Sequence, residues 1–296
     1  MAKAYSLLLF CVLVWGSNFV IGKLLLESFS PGFTTFARFL AIVLALYLYG
    51  KWKGISFHFP KLFKKDLLIF VLLSTIGVFI NQWSFFIGLQ HADSTSAAVI
   101  LAMTPLITCI LAAIFLHEVF TKNMAIGLFV AAIGVFIVVG TGYDGTLLKI
   151  EKGLWWIALT MVTFSILIIL TRLLSKKMEA FSLTLYSNVL AFILSIPFAV
   201  LEQEKTVTGD PGPWILLIVT AIIVHGFCNL IWNNQIRYIN ASKASTLTNL
   251  EPFVAMILGF ILLSKPILVT QVLGATFIVC GVIISNKKRV TEYTVT

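Results

Sequence analysis

Residues 97–137, AAVILAMTPLITCILAAIFLHEVFTKNMAIGLFVAAIGVFI, align without a gap on residues 244–284, ASTLTNLEPFVAMILGFILLSKPILVTQVLGATFIVCGVII. At a constant offset of 147, the identical pairs include Pro105 with Pro252, Gly127 with Gly274 and Gly134 with Gly281. Prolines and glycines have particular backbone roles, so their shared register indicates an internal duplication. Both copies contain apolar segments of membrane-spanning length. Duplicated helix bundles with a pocket at the repeat interface are common among secondary transporters, so transport is the first hypothesis.

The composition excludes an ordinary soluble domain. The 296 residues are 59% hydrophobic and 11% charged, whereas soluble domains carry about 25% charged residues. A net charge of +9 is compatible with nucleic-acid binding. However, the basic residues lie at the ends of the apolar segments, where they report membrane orientation. We therefore expect membrane lipid, and no nucleic acid, as a partner.

Runs of roughly 17 to 25 apolar residues predict ten membrane spans. They are placed at 5–26, 33–50, 67–89, 94–116, 123–140, 153–173, 182–201, 214–236, 243–264 and 269–286. The predicted domains are a first repeat at 1–142, a connecting outer loop at 143–152, a second repeat at 153–286 and a basic cytoplasmic tail at 287–296.

The distribution of positive charge predicts the orientation of these spans. With both termini cytoplasmic, fifteen of the 21 Lys and Arg lie on the cytoplasmic side, five lie on the far side, and Arg38 lies within a span. Cytoplasmic loops are enriched in positive charge, which supports this arrangement in the plasma membrane of a bacterial cell. Five spans per copy is an odd number, so the second copy enters from the opposite side. The sequence thus predicts an all-α integral membrane protein of ten transmembrane helices in two inverted five-helix repeats.

Glu251 is the only acid well inside a predicted span, and Pro252 follows it. An ionised side chain in hydrocarbon costs about 2.5 to 3.5 kcal/mol on insertion scales, so it needs a reason. The proline removes a backbone donor and frees a carbonyl near Thr248. A broken helix beside a carboxylate suits a cation, a proton or an amine. The alternative is a protonated or hydrogen-bonded acid that holds the bundle together.

Arg38 lies about five residues into the second span. It can form a charge pair with Glu251, attract a carboxylate substrate, or anchor the helix at the outer interface. Lys23, late in the first span, has the same interpretation as an anchor.

Amide and aromatic side chains recur inside the spans. His225, Asn229 and Asn233 are spaced by four residues and share a helical face. The repeat offset brings Gln82 onto Asn229, so both copies place an amide at the same position. Such amides either bridge helices or line a wet cavity. Trp15, Trp83 and Trp232 lie too deep for an interfacial belt and are predicted to be pocket walls or packing residues.

Glycines spaced by seven in the fifth and tenth spans allow close helix approach, with a dimer surface as one use. The sequence contains no Ser/His/Asp set on a loop, no phosphate-binding glycine loop and no acidic metal cluster. We therefore expect no enzyme activity, no cofactor and no metal site.

Four segments resemble EamA-type members of the drug/metabolite transporter superfamily, in order and in spacing. They are VWGSNFVIGKLL (Val14–Leu25), RFLAIVLAL (Arg38–Leu46), LHEVFTKNMAIGLFVAAIGV (Leu116–Val135) and NLEPFVAMILGFIL (Asn249–Leu262). The resemblance implies a central cavity lined mostly by helices one, three, four, six, eight and nine. Members of that family move amino acids, other small metabolites or toxic organic molecules, often outward and often coupled to protons. The resulting candidates for substrate binding are Trp15, Asn18, Asn81, Gln82, Trp83, His225, Asn229, Trp232, Asn233 and Glu251.

One departure from the family pattern concerns the helix ends. The family usually has an acid near the ends of the fourth and ninth helices, whereas this chain has Glu118 and Lys265. A symmetric pair of coupling acids is therefore absent, and we expect Glu118 to act at a helix end.

The functional prediction is a secondary active transporter for an amino acid, an amine or an aromatic metabolite, acting by alternating access. Export coupled to protons is preferred, and Glu251 and Arg38 are the candidates for coupling or for a charge pair. An uptake carrier or a facilitative uniporter is the nearest alternative, and a channel-like or receptor-type membrane protein is an alternative of another class. The oligomeric state is predicted as a monomer or a homodimer.

Overall fold

The structure is a computed structural model that describes residues 2–140, 152–202, 206–264 and 266–286. Its helices are α1 (Ala2–Leu26), α2 (Pro31–Trp52), α3 (Lys64–His91), α4 (Ser94–Phe115), α5 (Lys122–Gly140), α6 (Gly153–Leu174), α7 (Ala180–Leu201), α8 (Pro211–Tyr238), α9 (Ala241–Leu263) and α10 (Val269–Asn286). Each corresponds to one predicted span, with ends that agree within three residues. The basic tail, Lys265 and all but Lys152 of the predicted connecting loop lie outside the described residues.

The all-helical membrane fold is confirmed. Among the described residues, eight helices are long and apolar enough to cross a bilayer. The other two, α5 and α10, are shorter apolar helices, so ten crossings stay a prediction. The extended backbone in the described ranges includes a single bridge between Phe29 and Val207, which joins the α1–α2 loop to the α7–α8 loop.

Both halves contain the same irregularities in their helices. The middle of α3 is a π-helical segment, Leu73–Ile80, and the middle of α8 is another, Ala221–Phe227. Each of α4 and α9 is interrupted just before its proline, by a turn at residues 102–103 and by the 3₁₀ segment Thr248–Leu250. The repeat offset relates all of these positions to within a residue. Because such irregular segments leave backbone groups outside the regular ladder, they are often found at functional sites.

The helices of each half pack mainly against the other half. In particular, α1 packs against α8 and α9, and α6 packs in the equivalent way against α3 and α4. Helices α2 and α7 form another pair of equivalents in contact, and so do α5 and α10. The two halves therefore interlock around a shared centre.

The contact between α5 and α10 fixes their relative direction. A Cβ atom added at Gly127 would overlap the carbonyl oxygen of Gly281, and one added at Gly134 would overlap that of Gly274. The order of contacts is reversed along the two helices, so they run antiparallel. These glycines therefore lie inside the chain's own α5–α10 contact, which corrects their interpretation as a dimer surface.

Candidate substrate cavity

A cavity of about 60 Å³ lies between the two halves. Its walls come from α1, α3, α4, α6, α8 and α9, the six helices that the resemblance implies. The lining residues are Trp15, Asn18, Phe19, Gly77, Val78, Asn81, Gln82, Phe85, Leu101, Thr160, Phe164, Leu167, His225, Asn229 and Glu251. A polar space of this size holds a few water molecules.

Seven of the ten residues predicted to bind substrate line this cavity. They are Trp15, Asn18, Asn81, Gln82, His225, Asn229 and Glu251. The structure therefore brings together residues from α1, α3, α8 and α9 that are distant in sequence. Their role in substrate binding stays a prediction.

The other three predicted residues lie outside the cavity lining. Trp232 is only 1% exposed and packs against Trp15, with ring centroids 4.8 Å apart. Asn233 donates a hydrogen bond from Nδ2 to Thr184 Oγ1 of α7 at 2.8 Å. Trp83 lies against Phe198 in a separate pocket of about 410 Å³ between α3 and α7. These three side chains hold helices together in this structure.

Trp15 is held rigidly at the cavity wall. Its indole Nε1 donates a hydrogen bond to the carbonyl oxygen of Val224, at 2.9 Å, inside the π-helical segment of α8. The Phe164 ring meets the Trp15 ring edge-on, with centroids 5.6 Å apart, and Trp232 also packs against Trp15. The hydrogen bond of the indole joins α1 to the π-helical segment of α8.

Arg38 is the centre of a buried hydrogen-bond network beside the cavity. It is 1% exposed. Its guanidinium donates to Asn18 Oδ1 at 3.1 Å, to His225 Nδ1 at 2.8 Å and to Thr220 Oγ1 at 3.3 Å. The same group lies 5.3 Å from the centre of the Phe86 ring. All of these partners are neutral or aromatic.

Two of the three roles predicted for Arg38 disagree with this geometry. The only ion pair within the described ranges joins Lys177 to Asp66, so no pair with Glu251 forms. The side chain turns inward to the polar atoms of α1 and α8, and its burial is incompatible with an anchor at the membrane interface. Attraction of a substrate carboxylate remains a prediction.

Glu251 begins the second part of α9, directly after the 3₁₀ break. It is 4% exposed, and its Oε1 atom lacks a hydrogen-bond partner among the described residues. Gly16 of α1, which was not predicted from the sequence, allows α1 to pack closely against α9 at Glu251. A Cβ atom at Gly16 would lie 2.7 Å from Val254 Cβ and 3.0 Å from the Glu251 carbonyl oxygen, so only glycine permits the close approach of α1 to α9.

The amides of α3 have two functions. Asn81 lines the cavity and also bridges to α6, since its Nδ2 donates to Thr160 O at 2.9 Å and to Thr163 Oγ1 at 3.1 Å. Gln82 is 7% exposed, and its Oε1 has no partner in the described part of the chain. Thr160 was not predicted as a lining residue. The only signal for it was the polar Thr160 and Thr163 pair in an apolar span.

Charged side chains at helix ends connect the elements that surround the cavity. Glu118 follows α4 and accepts hydrogen bonds from Ala241 N, Ser242 N and Ser242 Oγ, at 2.7 to 3.2 Å. It therefore caps the start of α9 in the other half, as expected for a helix-end role. Lys23 donates from Nζ to Leu89 O at 2.7 Å and to Ala92 O at 3.0 Å, at the end of α3, and its role as an interfacial anchor stays a prediction.

Two interlocked sets of helices, interrupted at a central polar cavity, define the class of secondary-transporter folds. The chain belongs to the EamA-like transporter family, whose model matches residues 2–140 and again residues 151–287. It is therefore a multi-pass membrane protein of a transporter family, built from two repeats.

Curated relatives agree with this assignment, and a solved structure shares the fold. The uncharacterized transporter YyaM of Bacillus subtilis (strain 168) is 31% identical over 95% of this chain and 93% of its own length. The S-adenosylmethionine/S-adenosylhomocysteine transporter of Chlamydia muridarum (strain MoPn / Nigg) is 26% identical, over 90% of this chain and 86% of its own. A crystal structure with a TM-score of 0.78 covers 97% of each chain at 16% identity, which shows a shared fold.

Proposed function

We propose that the chain is a secondary active transporter that exports a small polar or amphipathic organic metabolite across the plasma membrane by alternating access, with both termini in the cytoplasm. The observation that carries this proposal is the cavity between the halves, whose polar and aromatic lining comes from both repeats. Its volume of about 60 Å³ suits a few water molecules, so a metabolite enters only when the lining helices separate. A site that is closed around its ligand and opens by helix movement is what a carrier requires.

The antiparallel contact of α5 with α10 supports an inverted relationship of the repeats. Gly127 is equivalent to Gly274, and Gly134 to Gly281, yet the contacts join Gly127 to Gly281 and Gly134 to Gly274. Equivalent helices thus run in opposite directions. Inverted repeats support alternating access because the two halves can exchange their conformations.

The residues of the cavity support an organic substrate with polar groups and an apolar part. Amides and an imidazole lie beside Trp15, Phe19 and Phe85. The relative from Chlamydia muridarum is named as a transporter of S-adenosylmethionine and S-adenosylhomocysteine. These molecules combine an amino-acid group with an aromatic base, and such a ligand would match the polar and aromatic side chains of the lining. Amino acids and aromatic amines are smaller members of the same class.

Glu251 supports coupling to protons. An ionised carboxylate without a partner is costly at membrane depth, so Glu251 takes up a proton or a cationic group whenever the cavity is closed. If substrate and proton bind to Glu251 in turn, export of the substrate is coupled to entry of a proton.

Counterflow in proteoliposomes tests the proposal. Purified protein is reconstituted with unlabelled S-adenosylmethionine, S-adenosylhomocysteine or one of the common amino acids inside, and the same compound is added outside in labelled form. A carrier gives a transient accumulation of label that depends on the internal compound. Flux without this trans-stimulation would indicate a channel.

Inside-out vesicles with an acidic lumen test the direction of transport. They should accumulate substrate if the carrier is a proton-coupled exporter, and should lose it if the carrier is a proton-coupled uptake system.

A further inference from the structure

We propose that the cavity is selective for dipolar substrates, with Asn18 and His225 binding a carboxylate and with Glu251 and Gln82 binding an ammonium group. Arg38 is a positioning residue behind the carboxylate-binding side. This inference rests on the proposed transport function and specifies its substrate class as molecules that carry an α-amino-acid group.

The donor side of the cavity follows from the hydrogen bonds of Arg38. A guanidinium group only donates hydrogen bonds, so His225 Nδ1 must accept the one at 2.8 Å. In the neutral ring the proton then lies on Nε2, which makes that nitrogen a donor. Asn18 Oδ1 likewise accepts from Arg38, and the amide nitrogen of Asn18 remains to donate. Since both side chains line the cavity, Arg38 makes each of them a donor towards the ligand.

The charge of Arg38 strengthens this preference. The group is buried, and no carboxylate of the described residues lies within 4 Å of it. A buried cation without a counterion is costly, and hydrogen bonds from groups polarised by a cation are stronger towards an anion. A ligand carboxylate at Asn18 and His225 would compensate this charge through the two side chains.

The acceptor side of the cavity comes from α3 and α9. Gln82 Oε1 and Glu251 Oε1 are buried and lack partners in the described part of the chain. Asn81 uses its amide nitrogen for Thr160 and Thr163, which leaves its oxygen as an acceptor. An ammonium group has three donors and no acceptor, and so matches a wall of acceptors. A ligand that lacks either charged group leaves one side unsatisfied, with a loss of about tenfold or more in affinity.

Matched ligands measure the two sides separately. Each set contains an amino acid, its carboxamide, which lacks the carboxylate, and its deaminated acid, which lacks the ammonium group. The sets are built on the common amino acids and on S-adenosylhomocysteine. Their dissociation constants are obtained from thermal-shift titrations of the full-length protein in detergent. The dipolar member should bind at least about tenfold more tightly than either derivative.

Variants then assign each preference to its residues. Asn18→Asp places a carboxylate next to Arg38, so the buried cation gains a counterion and the protein should remain folded. It should lose the preference for the amino acid over the carboxamide and keep the preference over the deaminated acid. Arg38→Met should shift the first ratio in the same direction. Glu251→Gln should do the opposite, since it reduces only the preference for the ammonium group.

The control and the contradicting results are as follows. Asn188→Asp introduces the same change at a buried asparagine of α7 that does not line the cavity, so both ratios should stay at the wild-type values. Equal ratios in wild type and Asn18→Asp would overturn the inference, even if Arg38→Met fails to fold. So would a set of ligands in which no dipolar member binds best. If the carboxamides or the deaminated acids show counterflow, the transport proposal stands although the inference on substrate class fails. If no ligand of any set shows counterflow, the transport proposal fails as well.

Discussion

Helices α4 and α9 have the same backbone and different chemistry. Both are interrupted just before the residue that precedes the repeated proline. Each is followed by a residue in the left-handed conformation, His117 with φ of 53° after α4 and Ser264 with φ of 52° after α9. Left-handed residues at helix ends are usually glycine, so their recurrence at equivalent non-glycine positions reflects a common architecture. At the break itself, however, α4 has Thr104 where α9 has Glu251.

The comparison of Thr104 with Glu251 shows that the shape of the helices and the buried acid follow different requirements in the two halves. The irregular helices are needed in both halves, because each half contributes one wall of the cavity. Under the proposed coupling, one buried carboxylate exchanges a proton for a ligand, so a titratable group is needed in only one half. The halves therefore keep their shape while the acid is confined to the second repeat.

The largest effect is expected from removing that acid. Glu251→Gln should abolish proton-driven accumulation, since a neutral amide cannot exchange a proton, while counterflow persists and the protein stays folded. Thr104→Val changes the equivalent residue of the first half and should retain accumulation. Accumulation driven by a pH gradient is measured in proteoliposomes. Undiminished accumulation in Glu251→Gln would remove this residue from the coupling role.

The α5–α10 contact should be the most sensitive part of the architecture that both halves share. In Gly127→Ala, the new Cβ meets a backbone carbonyl that cannot easily move, which should destabilise the protein by about 3 kcal/mol. Gly259→Ala in α9 is the matched control, because its Cβ finds no atom within 4 Å. That variant should be neutral or slightly more stable. Thermal unfolding in detergent distinguishes them, and equal midpoints would contradict the close antiparallel packing.

The start of α9 is capped by a residue of the other half, Glu118, whereas the start of α4 is capped locally by Asp93. Glu118→Ala removes three hydrogen bonds that reach from the first half to α9, at a cost of about 2 kcal/mol. Asp93→Ala removes the local cap of α4, which has two bonds, and should cost about 1 kcal/mol. The free energies of unfolding of the two variants test this order. A larger loss in Asp93→Ala would show that the cross-half cap is not the stronger one.

The last contrast concerns ligand binding by the equivalent amides. Gln82→Ala and Asn229→Ala should each weaken ligand binding about tenfold, or about 1.4 kcal/mol, with little change in yield. Asn233→Ala and Trp83→Ala should instead reduce thermal stability, because these residues join helices outside the cavity. Titrations and melting curves on the same preparations test the contrast. If Gln82→Ala and Asn229→Ala reduce only the yield, the two amides act as helix contacts.

Much of the fold was predictable because apolar run length and helix breakers are local signals. The span ends agree with the helices, and the repeat offset brings Gln82 and Asn229 to one cavity. The same spacing argument failed to separate Asn233 from Asn229. A four-residue periodicity records direction around a helix but not depth along it, and Asn233 lies a turn further along, beside the packed Trp232.

The hydrogen-bond partners of Arg38 could not be predicted from the sequence. Its partners lie on α1 and α8, as many as 187 residues away, and the repeat offset does not relate them. The sequence suggested Glu251 as a partner because opposite charges in an apolar chain attract. Neutral acceptors on α1 and α8 bind the two terminal nitrogens of the guanidinium instead. Gly16 was missed for a similar reason, because its role depends on which helix crosses it.

The most direct test of the account is the accessibility of one cavity position in each half. Gln82→Cys and Asn229→Cys are made separately in a chain whose native cysteines are replaced, and a membrane-impermeant thiol reagent is added to right-side-out or to inside-out vesicles. We predict that each cysteine reacts from both sides, and that a transported amino acid slows both reactions. Reaction of either cysteine from one side only would contradict a shared cavity that opens alternately to the two sides of the membrane.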